Sequence, residues 1–212
     1  MAFKYLSMFF QQLPVGPMQN LVFLIGCETT KEAAVIDCGF EPEVILAAAE
    51  KAGYRISKIL LTHVHYDHSG AAEQLAALTS AAIYMNPESE WKREHSPARG
   101  MWVIPQETRP IRPDETVLIG RREGRIIASP GHQRDHLMFI FDPYLLAGDT
   151  LFIEGCGRTD LPDSDPTAMQ ETLRMIATTL PDYLIVCPGH DYGPVPTRTL
   201  GEEKRLNPNL QI

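Results

Sequence analysis

The stretch 60-LLTHVHYDHSG-70 decides how the rest of this chain is interpreted. It places three of the chain's seven histidines and one aspartate within six residues, directly after an apolar run. Any one of these histidines is explained most simply as a hydrogen-bonded loop residue. The set is explained better as a metal site if other parts of the chain deliver ligands of the same kind.

Three further strand-like runs also end in a residue of ligand type. Rigid strands that hold reactive loops at one edge of a sheet are a common way to build a site. We therefore expect the ends of these runs to meet the histidine cluster. The runs and the residues that follow them are 126-IIASPG-131 with His132, 144-YLLAG-148 with Asp149, and 183-YLIVCPG-189 with His190.

The donor set favours two metal ions. Extended residues i and i+2 point to the same side, so His63 and His65 can share one ion, while His68 beside Asp67 can reach a second. Asp149 could bridge, because one carboxylate can offer an oxygen to each ion. Nitrogen and oxygen donors suit zinc best here, with iron or manganese as alternatives. Two such ions, roughly 3.5–4 Å apart, would activate a water molecule and polarise a carbonyl.

The remaining pattern predicts a layered α/β fold with sheets inside and helices outside. Apolar runs at 21–26 and 33–39 indicate a hairpin, and four proline residues make 96–114 an irregular segment. We expect one domain over residues 1–212. Helices are predicted over 42–53, 70–80 and 166–180, with Asp165 as an N-cap; strands over 1–14, 56–63, 81–85, 116–120, 125–129, 137–141, 144–148 and 183–190.

Composition limits the classes of partner. The net charge of −8 argues against a nucleic-acid or anionic-membrane partner, because those need clustered Lys and Arg. No apolar stretch approaches the roughly 20 residues of a membrane span. The four cysteines form no CxxC pair and indicate reduced thiols in the cytoplasm, although two bridges stay open as an alternative. A homodimer is left open.

In this order and spacing, 62-THVHYDHSG-70, 130-PGH-132, 148-GDT-150 and 188-PGH-190 resemble the metallo-β-lactamase superfamily over nearly the whole chain. The resemblance implies a four-layer αββα sandwich with the metals at one edge of the sheets. It says little about the substrate, since one fold hosts many reactions. It implies that one metal is held by His63, His65, His132 and Asp149, and the other by Asp67, His68, Asp149 and His190.

Two longer segments, 148–162 and 189–210, are similar to hydroxyacylglutathione hydrolases (glyoxalase II) and to persulfide dioxygenases, which handle thiol-linked small molecules. This resemblance implies that Arg158 and Tyr192 contact the substrate, since a guanidinium suits a carboxylate and a phenol can donate to a carbonyl. A salt bridge from Arg158 to Asp160 or Asp163 is an equal alternative. Cys156 is interpreted as a small buried filler.

The chain departs from both groups at two places. The tail after His190 is too short for the helical domain that completes the glutathione site in full-length glyoxalase II. We therefore expect either that another segment, such as 96–114, completes the pocket, or that the thiol carrier is not glutathione. In 132-HQRDH-136 both groups usually have small residues near Arg134 and Asp135, which here either pair with each other or narrow access to the metals.

The leading hypothesis for function is a metal-dependent hydrolase of a small acyl thioester. A metal-bound hydroxide would attack the carbonyl, and Asp67 or Asp149 would orient it. The alternative is a dioxygenase that oxidises glutathione persulfide to sulfite, with one iron on His63, His132 and Asp149 as a facial triad. The acidic balance disfavours a nuclease, and the complete ligand set disfavours a non-catalytic module.

Overall fold

The computed structural model describes residues 8–95 and 100–211. The strand expected over 1–14 is found as Met8–Val15, and its first seven residues lie outside the described part. The first four residues of the segment expected to be irregular, 96–99, lie outside it as well. No helix among the described residues has the length and apolarity to cross a membrane.

The predicted strands and helices are found in the predicted order with somewhat different bounds, and several short strands and helices between them were not predicted. The strands are β1 (Met8–Val15), β2 (Asn20–Cys27), β3 (Glu32–Ile36), β4 (Arg55–Leu60), β5 (Ala82–Met85), β6 (Arg109–Pro110), β7 (Thr116–Ile119), β8 (Arg122–Ala128), β9 (Leu137–Phe141), β10 (Tyr144–Gly148), β11 (Leu151–Phe152), β12 (Gly155–Cys156), β13 (Ile185–Pro188) and β14 (Arg198–Thr199). The helices are α1 (Pro42–Lys51), α2 (Tyr66–Ser69), α3 (Ala72–Thr79), α4 (Lys92–His95), α5 (Pro166–Thr179) and α6 (Leu200–Leu206), with 3-10 turns at Pro87–Trp91 and Pro208–Leu210.

Two six-stranded sheets form the centre of the molecule. The first has the order β1-β2-β3-β4-β5-β6, and α1 and α3 are the crossovers that make β3, β4 and β5 parallel. The second has the order β14-β13-β10-β9-β8-β7, in which β7 to β10 form the predicted antiparallel set. β13 pairs in parallel with β10, which brings the end of the chain back beside Asp149.

The alternation of side chains along the strands explains the four layers. In β2, Phe23 packs between the two sheets, whereas Leu24 packs outward against the helices of the first sheet. In β9, Phe139 faces the same inner core, whereas Ile140 packs against α5. Both faces of each sheet are therefore buried, as strands with nearly continuous apolar runs require. The predicted αββα sandwich is confirmed.

Candidate metal centre

The predicted ligand residues meet at one edge of the two sheets. They come from the ends of β4 in the first sheet and of β8, β10 and β13 in the second, with two more on the short helix α2. The structure therefore brings together residues that are up to 127 positions apart in the chain. All seven are buried: His63, His65, Asp67, His68, His132, Asp149 and His190.

Three imidazoles form the first group of donors. His65 Nδ1 lies 3.0 Å from His63 Nε2 and 3.1 Å from His132 Nε2. His65 is extended at the N-cap of α2, so its ring reaches the same side as that of His63 despite the helix that follows. These three nitrogens lie close enough together to hold one ion.

The second group contains Asp67, His68 and His190. His68 Nε2 lies 3.2 Å from His190 Nε2, and Asp67 Oδ2 lies 3.6 Å and 3.4 Å from these two nitrogens. Asn20 donates from Nδ2 to Asp67 Oδ2 at 3.1 Å and so fixes the carboxylate. Two nitrogens and one oxygen again form a set that suits a divalent transition metal.

Asp149 lies between the two groups. Its Oδ1 is 3.3 Å from His68 Nε2, and its Oδ2 is 3.4 Å from His190 Nε2 and 3.6 Å from His132 Nε2. Gly189 permits this approach, since a Cβ there would collide with Asp149 Oδ1 and His68. The carboxylate thus has the position that a bridging ligand needs.

Hydrogen bonds outside the cluster set the tautomers of the rings. His132 Nδ1 donates to the carbonyl of Arg158 and His190 Nδ1 donates to that of Met18, both at 2.9 Å. A carbonyl can only accept, so each Nδ1 carries a proton and each Nε2 points into the cluster, where it can bind a metal ion once it is deprotonated. His68 Nδ1 is held in the same way by Asp37 Oδ2 at 2.9 Å.

The ligand atoms of the cluster cannot all be satisfied by hydrogen bonds to one another, whereas metal ions would satisfy them. One proton on His65 Nδ1 cannot satisfy both His63 Nε2 and His132 Nε2, so at least one nitrogen lone pair is left facing another nitrogen. Asp149 Oδ1 is buried and has no hydrogen-bond partner among the described residues. Cations at these positions would satisfy the donors, because buried polar atoms need a partner.

The pKa values of the histidines are shifted in opposite directions in the two groups. Burial lowers the pKa of His63 well below its ordinary value and that of His65 to about 3, so both are neutral, as metal ligands must be. Burial alone would lower the pKa of His190 too, but Asp149 and Asp67 outweigh it and raise it to about 9. In the ion-free protein a proton on the second group balances carboxylate charge, and a metal ion would displace that proton.

Several residues that support the ligands were not predicted, among them Asn20, Asp37 and His136. Asp37, which directly follows β3, accepts from the Thr62 backbone N–H, from Thr62 Oγ1 and from His68. His136 accepts from the backbone N–H of Asp149 at 3.1 Å. Asp37 obeys the strand-end rule that found the ligands. His136 does not, because it precedes β9, and only the antiparallel pairing brings it to the same edge.

A cavity of about 470 Å³ opens over the cluster. Arg158 and Tyr192 both line it, and their contact with a substrate stays a prediction. Arg158 is held by Asp160 in a two-fold contact of 2.6 Å and 2.7 Å, which is the structural alternative named above. Tyr192 stacks on His190 with ring centres 4.7 Å apart and donates to the Met18 carbonyl.

Cys156 is half-buried and lines the cavity, so its interpretation as a buried filler is wrong.

The expectation that Arg134 and Asp135 pair with each other is wrong. Asp135 is fully buried and binds Lys92, whereas Arg134 lies over the ring of Trp91 and 4.0 Å from Asp163. Neither is among the described residues that line the cavity, so narrowed access to the metals is not supported either. All four cysteines are free thiols.

Comparisons with known proteins agree with the fold. A model of the "Metallo-beta-lactamase superfamily" matches residues 15–190. A hydroxyacylglutathione hydrolase of Rhodospirillum rubrum is 35% identical over 175 residues, 82% of this chain and 62% of that protein. The chain thus spans less than two thirds of the length of such curated relatives.

Two solved structures are similar over nearly the whole chain. ETHE1 from Myxococcus xanthus has a TM-score of 0.79 at 29% identity, covering 95% of this chain and 84% of that one. TTHA1623, solved in a di-iron-bound form, has a TM-score of 0.78 at 32% identity, covering 93% of this chain and 98% of that one. Both therefore share the fold of this chain over nearly its whole length.

Proposed function

The chain belongs to the metallo-beta-lactamase superfamily, and we propose that within it the protein is a metal-dependent hydrolase of a small acyl thioester, similar to glyoxalase II. One observation carries this proposal: two complete groups of donors share Asp149 beneath the cavity. A hydrolase with two ions would use both groups, whereas a single iron on His63, His132 and Asp149 would leave Asp67 and His190 without a role. The hydroxyacylglutathione hydrolases among the relatives support the same reaction class.

The ligand residues would hold two divalent ions, one on His63, His65 and His132 and one on Asp67, His68 and His190, with Asp149 shared. When bound, such a pair lowers the pKa of water and polarises a carbonyl oxygen. The protein's own contribution would be orientation. Asp67 is ionised because His190, His68 and Asn20 outweigh its burial and lower the pKa of its carboxyl. Its oxygens can therefore accept a hydrogen bond from the attacking water.

Substrate binding would involve Arg158 and Tyr192 at the rim of the cavity. The Arg158–Asp160 pair is exposed on both sides, and such pairs contribute little to stability. A substrate carboxylate could therefore replace Asp160 on the guanidinium at small cost. Met18, Phe152 and Leu161 line the same cavity and suit the apolar stem of a thiol carrier.

The proposal extends to partners and domain organisation. We propose a small thiol-linked molecule as the substrate, rather than a nucleic acid or a membrane, because the net charge of −8 opposes anionic polymers. We also propose one domain across residues 1–212. The second candidate, a persulfide dioxygenase with one iron, would use His63, His132 and Asp149, which the fold brings together.

One assay separates the two candidates. We expect the zinc form and the iron form to hydrolyse a hydroxyacylglutathione at rates that do not change when oxygen is removed, followed as free thiol released. Zinc cannot change oxidation state, so only an iron form could consume oxygen. Asp149→Asn, loaded in parallel, is the negative control. Sulfite formation from glutathione persulfide by the iron form alone, without thioester turnover by either form, would replace the proposal with the second candidate.

A further inference from the structure

Lys92 is an unusual residue for its position. It lies on α4 with its side chain fully buried, whereas lysine is almost never buried without partners. Its Nζ lies 2.5 Å from Asp135 Oδ1, 2.8 Å from Gln133 Oε1 and 3.2 Å from Asp163 Oδ2. The ammonium group therefore donates hydrogen bonds to Asp135 and Gln133 and forms an ion pair with Asp163.

Asp135 completes a buried link between two segments. Ser89 Oγ donates to its other oxygen, and Asn86 Nδ2 donates to its backbone carbonyl at 2.9 Å. The segment from Asn86 to Lys92 is thereby joined to the loop that carries His132. None of these contacts involves the metal ligands directly.

One route leads from Lys92 to His132. Gln133, whose side-chain oxygen binds Lys92, donates from Nε2 to the backbone carbonyl of His132 at 2.9 Å. Ser164 Oγ donates to the same carbonyl at 2.6 Å, and Ser164 directly follows Asp163, which forms an ion pair with Lys92. The backbone carbonyl of His132 thus accepts from Gln133, which binds Lys92 directly, and from Ser164, which is next to the ion-pair partner Asp163.

A second route leads to His65. Lys92 Nζ lies 5.1 Å from the ring centre of Trp102, within the range of a cation–π contact. The backbone of Trp102 pairs with that of His65, and Val103 N donates to the Val64 carbonyl at 3.0 Å. Lys92 thus supports the short strand pairing that holds His65 in its extended conformation.

We propose that Lys92 is a positioning residue for the first ion, acting on His132 through Gln133 and on His65 through Trp102. The second group is supported elsewhere, by Asn20, Asp37 and the Met18 carbonyl. Lys92 therefore supports the ligands of the first ion and not those of the second. Replacing a buried ion pair by apolar residues is often neutral for stability, so stability alone does not account for a charge placed here. The inference rests on the proposed metal site and not on the proposed reaction.

The test measures affinity at each metal position separately. A His190→Ala background retains the first position, and a His65→Ala background retains the second. Zinc affinity is determined in each by competition with a chromophoric chelator, with and without a Lys92→Met/Asp135→Leu change that removes the ion pair. We expect at least a tenfold loss of affinity at the first position and less than a threefold change at the second.

Two further variants keep the test decisive if that double change disturbs folding. Gln133→Met leaves the ion pair intact but breaks its link to His132, and it should also weaken only the first position. Arg198→Met is the matched control, because it breaks a contact of 3.1 Å to the fully buried Glu203 away from the cluster. The control should lower the melting temperature and leave both affinities unchanged. Equal losses at both positions, or no loss in folded Gln133→Met, would overturn the proposal. Failure of the parent protein to bind zinc would instead refute the metal site.

Discussion

Asp149 is the one ligand residue that the proposed site shares between its two metal ions. It is buried, it directly follows β10, and its oxygens lie near His132 of the first group and near His68 and His190 of the second. Burial would raise the pKa of its carboxyl, but His68 and His190 outweigh burial and hold it well below the ordinary value. The ionised carboxylate therefore provides the negative charge that two adjacent cations need.

This position yields a prediction about metal content. Asp149→Asn keeps the size of the side chain but removes the charge, so we expect both ions to be bound more weakly and the content after dialysis to fall below one per chain. His190→Ala is the comparison, because it removes a donor of the second group only and should leave about one ion. Elemental analysis of both proteins measures the difference. Full metal content in both would contradict the proposed ligand assignment.

At the scale of elements, α5 is connected to the site through its first turn. Asp165 accepts from the backbone N–H of Thr167 and of Ala168, at 2.8 Å and 3.1 Å, as the predicted N-cap. Its own backbone N–H donates to the carbonyl of Gly131, next to His132. Gly131 has a φ of 145° and packs against Met169 of α5, where a Cβ would collide. The first turn of α5 therefore fixes the backbone of Gly131, directly before the ligand His132.

The cap can be tested by substitution. Asp165→Ala removes the acceptor for two N–H groups and should cost about 1 kcal/mol, which corresponds to roughly 2–4 °C in melting temperature for a chain of this size. Asp165→Asn should be nearly neutral, because asparagine caps helices as well as aspartate does. Thermal unfolding of the metal-loaded proteins provides the measurement. An equal loss in both variants would show that charge, and not capping, is what matters at this position.

At the scale of the whole molecule, the site exists only when both sheets are packed together. One side of it comes from β4 and α2 on the first sheet, and the other from β8, β10 and β13 on the second. The inner core that joins them includes Phe23, Leu60 and Phe139. Metal binding is therefore coupled to folding. In the ion-free protein no cation offsets the charges of the cluster, so its stability depends on the protonation of the clustered histidines and aspartates.

We expect the stability of the ion-free protein to fall on both sides of about pH 6.5. On the acid side, burial lowers the pKa values of His63, His65 and His136, that of His65 to about 3. The unfolded chain then binds more protons than the folded one, and stability decreases as the pH falls. On the alkaline side, His190 keeps its proton up to about pH 9, while the unfolded chain releases it earlier. The folded state there binds more protons, and stability decreases as the pH rises.

Thermal unfolding of chelator-treated protein between about pH 5 and pH 9 measures this profile. Metal-loaded protein is the control, and its alkaline limb should be flatter, because bound ions displace the proton on the second group. A melting temperature that rises steadily across this range in the ion-free protein would contradict the assignment of charge to His190.

The sequence by itself determined the features that depend on near neighbours along the chain. The apolar run 21-LVFLIG-26 indicated one strand of a hairpin, and Asp165 before Pro166 indicated the start of α5. The spacing of His63, His65 and His68 after an apolar run indicated a shared site. These patterns are readable because side-chain direction is set by the local backbone, with a period of two in strands and 3.6 in helices.

The tertiary structure alone decided which distant residues become partners. Asp37 and His68 are 31 positions apart, and Lys92 and Asp135 are 43 apart, yet each pair lies in direct contact. In the sequence, Arg134 is the neighbouring residue that could form an ion pair with Asp135. In the folded protein Asp135 forms its ion pair with Lys92 instead. A buried charge must be neutralised by the groups that surround it in space, and those groups are set by how the two sheets and α4 pack and not by order along the chain.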